Sequence, residues 1–454
     1  MTSATLPVQA QTLFGDGRLG ACVGAVALVS LLAFEAMAVA AAMPAIAGAL
    51  QGLGSYALAF GGMLATSVLG MALSGRSCDR HGSLRATVVG LAVFAAGLLL
   101  AGFAGNMGWL VAGRIVQGLG GGMLGVALYV GMGQLVPRAL HPRLFAVLAA
   151  AWVLPGLLGP LIAAWLVEQL GWRSVFLAVA AAVPLAAALL LPALRRLPLP
   201  PRADPQRPHP GAGIGWALLG ATGALLLHAA SKAGTPAVTL AALALGLAAV
   251  GTAASRLLPQ GSLVAAAGLP AVLALRGLLA SAFASAEVFI PLYLTREAGW
   301  SLTQAGLALS AGAVLWSCGS AVQARIVPAR DRRRGLQAGL LAVAAGIAIV
   351  VAQMLTGSRA WVVVAGWSIA GFGIGLSYPM LSVLTLRLSA PAEQGHNASA
   401  LQLSDALCSS AVLAVAGALF NRAGASGASG YVLVLTLAMA LALGGALLAR
   451  RAFA

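Results

Sequence analysis

Fourteen stretches of about twenty apolar residues follow one another along this chain, separated by short charged or Gly/Pro-rich breaks. Twenty helical residues match the hydrocarbon thickness of a bilayer, where every backbone N–H and C=O must be satisfied within the segment or its partners. Such a chain has few options other than a bundle of membrane-spanning helices. Composition agrees: 61% of residues are hydrophobic, 8% are charged and 58 are glycine, and the mean hydropathy is +0.97. In a soluble chain a net charge of +16 would suggest nucleic acid. Here it reflects basic residues collected in cytoplasmic loops, and no nucleic-acid partner is expected.

The stretches lie near 21–46, 56–74, 86–105, 109–132, 144–167 and 174–194, then 213–230 and 237–256, then 275–295, 303–325, 335–355, 361–386, 399–420 and 431–449. They are arranged as six, two and six. Glu35 and Asp79 stand 44 residues apart, and Glu287 and Asp331 repeat that interval after a shift of 252. Gly113-Arg114-Ile115-Val116-Gln117-Gly118 is answered by Gly366-Trp367-Ser368-Ile369-Ala370-Gly371 after a shift of 253. A duplication on this scale predicts two homologous six-helix halves, residues 21–194 and 259–451. Between them lie a polar, proline-rich linker (195–212) and two inserted spans (213–258), with a short tail at 1–20.

Placing the N-terminus inside the cell puts twenty of the 26 basic residues on the cytoplasmic side, Arg276 among them. Five fall outside and Arg114 lies within a span. This predicts an even number of spans with both termini cytoplasmic. The first 20 residues lack a signal-peptide pattern, so the first span is expected to remain uncleaved. Only one basic residue is lysine, Lys232. That bias, with the abundance of Ala and Gly, points to a bacterial inner membrane. Cys22, Cys78, Cys318 and Cys408 are scattered without ligand spacing, so they read as packing residues, with no metal and no cofactor expected.

Three of the ten acids lie inside apolar runs: Glu35, Glu287 and Asp405. A carboxylate at mid-membrane is costly unless it meets water, a proton or a partner. Glu35 and Glu287, each about halfway along its span, are expected to face each other across a wet midplane cavity. Each also admits a second reading, a neutral carboxyl bonded to a neighbouring helix. Asp405 has local candidates for that role in Gln402, Ser404, Ser409 and Ser410. Arg114, with Gln117 on the same helix face, is expected either to snorkel to the interface or to pair reversibly with a nearby acid.

These residues resemble the major facilitator superfamily, specifically its fourteen-helix drug:proton antiporters. Gly75, Asp79, Arg80, Gly82 and Arg85 are similar to its G-x-x-x-D-R-x-G-x-x-[RK] loop between helices 2 and 3. The resemblance gives that loop the role of a conformational latch, with Asp331 and Arg332 as the repeat copy and an acid able to cap a helix start. Arg114 and Gln117-Gly118 resemble the helix-4 R-x-x-Q-G motif of proton coupling. Glu35 to Pro44 resembles the helix-1 motif, with Glu for Asp and with Met37 and Ala40 at polar positions. Gly156 and Gly159-Pro160 resemble the helix-5 antiporter motif, which Pro155 and Ala163-Ala164 modify.

The resemblance implies an all-α major facilitator fold of 14 helices, without enzymatic activity. It also implies a monomer that moves small lipophilic cationic or neutral compounds outward against protons, with the bilayer as its other partner. Uptake by symport, export of one specific metabolite or lipid, and a non-transporting receptor are the alternatives.

Overall fold

The computed structural model describes residues 13, 18–137, 140–198, 212–230, 236–326, 329–390, 393–423 and 428–453, with backbone alone for 142, 212, 236 and 329–331. Most of the tail and of the 195–212 linker lie outside the described residues. So does the Asp331 side chain.

Among the described residues the first half is built from α1 (Leu19–Ala49), α2 (Tyr56–His81), α3 (Ser83–Gly102), α4 (Met107–Leu135), α5 (His141–Ala150), α6 (Val153–Leu170) and α7 (Arg173–Leu194). The inserted helices are α8 (Ala212–Ala230) and α9 (Pro236–Leu257). The second half comprises α10 (Leu269–Arg296), α11 (Leu302–Ala324), α12 (Ala329–Thr356), α13 (Trp361–Leu388), α14 (Gln394–Arg422) and α15 (Ser429–Leu448). Fourteen of the resulting segments are long and apolar enough to cross a membrane, α5 and α6 together forming one of them.

The sequence predicts one unbroken helix near 144–167, yet the chain turns at Ala151 and Trp152. Pro155 is the cause. It has no N–H for the Ala151 carbonyl, and its ring crowds that position. The orphaned carbonyl is taken instead by the Ser30 hydroxyl of α1, which donates to it at 3.0 Å.

Local signals end the other helices. The Asn106 side chain caps α4 by accepting from the Trp109 N–H at 3.0 Å. Ser301 and Gln304 form a capping box at α11. Gly82, at φ 81°, alone joins α2 to α3. That connection is tighter than the sequence suggests. Gly75, Asp79 and Arg80 all remain within α2, and Gly82 occupies the start of α3 with no side-chain cap. The expectation that Asp79 caps α3 is therefore corrected.

The two halves use the same pairings. Helices α3 and α4 pack as α12 and α13 do, α2 and α4 as α11 and α13, and α1 and α7 as α10 and α15. Glycine makes one of these approaches possible in both. A Cβ on Gly118 would collide with the Met63 carbonyl of α2, and one on Gly371 with the Gly312 carbonyl of α11. Between halves, α2 packs on α14 and α6 on α11, while α8 lies against α2 and α14 at that seam.

Hydrogen bonds between the halves gather at one end of the bundle, where α1 leads into α2. Tyr56 Oη donates to the Val288 carbonyl at 2.9 Å, Ser410 Oγ to Gly61 at 2.7 Å and Asn421 Nδ2 to Gly54 at 3.2 Å. Across the other seam, Thr303 Oγ1 donates to Glu168 Oε1 at 2.9 Å. At the opposite end Asp79, Arg80 and Arg85 are exposed.

Candidate functional site

Glu35 is the 17th of 31 residues in α1 and has no exposed surface. Arg114, about two turns past the Asn106 cap, is 2% exposed and donates from Nη1 to Glu35 Oε1. Gln117 Nε2 donates to the same oxygen at 3.2 Å. The guanidinium also donates to Gln117 Oε1 at 3.2 Å and, through Nε, to the Ala59 carbonyl of α2 at 3.2 Å. Spacing by three residues puts Arg114 and Gln117 on one face of α4, and α1 brings the acid to that face. The result is a charge-balanced knot joining α1, α2 and α4. It excludes snorkelling for Arg114. It also differs from the wet-cavity expectation for Glu35, whose Oε2 is sealed among protein atoms with no hydrogen-bond partner. The pairing explains how a charge survives there without water.

Glu287 is placed otherwise. It is the 19th of 28 residues in α10, since that helix begins at Leu269, earlier than predicted, so it lies at two-thirds of the helix and not midway. It is half-buried and forms no hydrogen bond or ion pair with any described residue. The repeat shows why. Trp367 stands where Arg114 stands in the first half, and Ala370 where Gln117 stands. Trp367 is 2% exposed and stacks on Phe283, one turn before Glu287, with centroids 4.5 Å apart and planes at 28°.

Asp405 does not use the local partners suggested by its sequence neighbours. Ser404 donates to the Leu273 carbonyl and Ser410 to Gly61. Asp405 instead accepts from Arg276 Nε at 3.2 Å and from the Tyr378 hydroxyl. Arg276 belongs to the interior of α10 and is 6% exposed, so counting it with the loop cations is also corrected.

The other motif residues do not converge on these acids. In the α2–α3 motif Asp79, Arg80 and Arg85 carry no hydrogen bond or ion pair with any described residue, and Gly75 faces open space. Arg332 Nε donates to the Ile326 carbonyl at 3.4 Å. On α6, a Cβ on Gly156 would meet Ala313 of α11 at 3.7 Å and one on Gly159 would meet Met37 of α1 at 3.3 Å. The Pro160 carbonyl lies 2.9 Å from the Cβ position of Gly306 on α11. This motif thus occupies the α6–α11 seam between the halves. Beside it, an apolar cleft of about 480 Å³ opens between α1, α6 and α7, lined by Phe34, Leu158, Gly159 and Leu185.

Sequence reasoning missed Arg276, Tyr378 and Trp367. Only Trp367 was findable, by aligning the halves and asking what replaces Arg114.

The chain matches the family model described as the Major Facilitator Superfamily over residues 25–413. A probable actinorhodin transporter of Streptomyces coelicolor is 29% identical over 430 residues, which are 88% of this chain and 72% of that protein. A probable multidrug-efflux transporter of Mycobacterium tuberculosis is 28% identical over 375 residues, 76% of this chain and 75% of that protein. Some other curated relatives are matched over a smaller part of their length, 27% for a multidrug transporter of Bacillus subtilis and 51% for an uncharacterised transporter of M. tuberculosis. The crystal structure of PepTSo, a POT family transporter, superposes with a TM-score of 0.70 over 94% of this chain and 97% of that one. At 15% identity that likeness speaks for the fold alone.

Proposed function

Because the chain belongs to the major facilitator superfamily, we propose that it is a proton-coupled secondary transporter that exports small lipophilic cationic or neutral compounds. It is a multi-pass membrane transporter and not an enzyme. Coupling, direction and substrate class are the proposal. One observation carries it: Glu287 is a half-buried carboxyl on a spanning helix, and no group among the described residues neutralises it. In a medium of low dielectric such an anion is costly, and either a proton or a cationic substrate relieves it. Competition between the two for one carboxyl is the elementary step of exchange. A few kcal/mol gained or lost there is enough to bias a two-state bundle.

Glu35 has the complementary part. Arg114 and Gln117 hold it in this conformation, and movement of α4 against α1 would release it. With both termini cytoplasmic, as the arginine distribution favours, the hydrogen-bonded end of the bundle faces outward and the exposed Asp79 end faces the cytoplasm. The conformation is then closed to the outside. In this reading residues 21–194 and 259–451 rock against each other as a monomer in a bacterial inner membrane, 213–258 ride at the α2–α14 seam, and the Asp79 loop latches the inner end when it closes. The name of the M. tuberculosis relative supports efflux. The S. coelicolor relative, named for a single compound, favours a second reading, export of one specific metabolite.

The test is proton-driven transport into everted vesicles carrying Glu35→Gln or Glu287→Gln. Uncoupler-sensitive transport is expected to fall about tenfold or more with Glu287→Gln, on the scale of a buried charge interaction. Wild-type rates in both variants would refute the coupling assignment. Transport only in right-side-out vesicles would establish uptake instead.

A further inference from the structure

The inserted hairpin of α8 and α9 is fastened at two points, one on each half and at opposite ends of the bundle. Its two helices form one unit. A Cβ on Gly223 of α8 would lie 3.0 Å from the Gly246 carbonyl of α9, and one on Gly246 would lie 3.0 Å from the Gly223 carbonyl. Glycine lets the two backbones meet directly, so the pair packs as a single piece. The first fastening is to α2. His228, in the last turn of α8, is 3% exposed, and its ring fills the notch at Gly61, where a Cβ would collide with the imidazole. Leu225, three residues before it, lies 3.6 Å from the Cβ position of Gly62. The notch belongs to the end where the halves are hydrogen-bonded to each other. The Gly61 carbonyl accepts from Ser410 of α14, and Tyr56, five residues earlier, donates to Val288 of α10.

The second fastening lies at the opposite end, where α9 gives way to α10. The chain there forms a short turn, Ser262–Val264, between Gly261 at φ 85° and Ala265 at φ 48°. A non-glycine residue keeps that left-handed conformation only where its surroundings impose it. Arg451 imposes it. Its Nη1 donates to the Val264 carbonyl at 3.0 Å and to the Ala265 carbonyl at 3.3 Å, and its own carbonyl accepts from the Gly268 N–H at 2.8 Å. Arg451 sits in the C-terminal turn Ala449–Phe453, which packs on α10, α12 and α15. The end of α9 is thereby clamped to the second half. A mere covalent connection between the halves would need neither device, and its far turn could slide over α2.

Resting on the reading above that the two halves rock against each other, we propose that the inserted hairpin is a strap across the α2–α14 seam. Seated on α2 by His228 and clamped to the second half by Arg451, it restrains separation of the halves at the Tyr56 end. For that end to open, either the ring leaves its notch or the clamp yields. The two fastenings act in series, so releasing one releases the strap. The Ser410–Gly61 bond joins the halves directly and acts in parallel with it.

The test is the distance between nitroxides placed by Phe103→Cys and Arg422→Cys, exposed sites on the two halves at the Tyr56 end. It is measured by pulsed electron paramagnetic resonance on the full-length protein in lipid nanodiscs, in a Cys318→Ser, Cys408→Ala background. His228→Ala and Arg451→Ala are each expected to raise the ratio of long to short separations about fivefold, the scale of one lost contact. Combined, they should do no more than either alone, because the fastenings are in series. Gly61→Ala, which expels the ring from the α2 side, should match His228→Ala. Ser410→Ala should multiply with any of the three. A double variant of His228 and Arg451 that shows the product of the single effects would overturn the strap. If Ser410→Ala raises the ratio while His228→Ala, Gly61→Ala and Arg451→Ala do not, the rocking stands and the strap falls. If no variant changes the distances, both fall.

Discussion

The two halves of this molecule place a glutamate at the same repeat position and treat it in opposite ways. In the first, Glu35 is sealed inside a knot with Arg114 and Gln117. In the second, Trp367 and Ala370 replace those partners and Glu287 is left with none among the described residues. The helix pairings around both sites are the same. The difference is therefore not one of architecture. It lies in two side chains on one helix, which convert a neutralised carboxylate into an available one.

The sharpest test of this contrast is a pair of double-mutant cycles followed by unfolding in detergent. Arg114→Leu leaves Glu35 buried and unpaired, and is expected to destabilise by about 3–5 kcal/mol, with much of the loss recovered when Glu35→Gln is added. Trp367→Leu combined with Glu287→Gln should show a coupling below about 0.5 kcal/mol, because those side chains share no hydrogen bond or ion pair. Substantial coupling in the second cycle, or none in the first, would erase the contrast.

A second measurement addresses what the halves share. Gly118→Ala and Gly371→Ala each force a methyl group onto a carbonyl of the facing helix. Losses of about 1–3 kcal/mol, similar for the two, are expected in the same unfolding assay. Strongly unequal values would mean that the α2–α4 and α11–α13 packings are not equivalent.

Smaller still is the effect at the closed end. Tyr56→Phe removes the bond from α2 to the Val288 carbonyl and should cost about 0.5–1.5 kcal/mol. Its second signature is faster labelling of a cysteine introduced near that end. The smallest change in stability belongs to Glu287→Gln. At a pH where the carboxyl is protonated, with no partner among the described residues to lose, the variant should unfold within about 0.5 kcal/mol of the wild type. A large loss would reveal a hidden partner and restore symmetry to the comparison.

How much of this was legible beforehand depends on the range of the interaction involved. The apolar runs, the six-two-six order and the repeat are local or periodic, and all are plain in the text of the chain. Arg114 and Gln117 could be placed on one face because three residues span less than one helical turn. The break before Pro155 was legible too, since proline withholds the N–H that the Ala151 carbonyl needs. It was overlooked because the surrounding run is uniformly apolar. The partnership of Arg276 with Asp405, 129 residues away, carries no local mark.

Residue order alone determined that this chain lives in a bilayer, spans it fourteen times, is internally doubled and carries three acids within its apolar runs. These properties follow from the cost of placing polar groups in hydrocarbon, which acts on each segment separately. Tertiary structure decided which of those acids is neutralised and which has no partner among the described residues. That depends on how each helix is rotated and how closely it approaches its neighbour. Glycines, rings and a few guanidinium contacts set those quantities only once the helices have met.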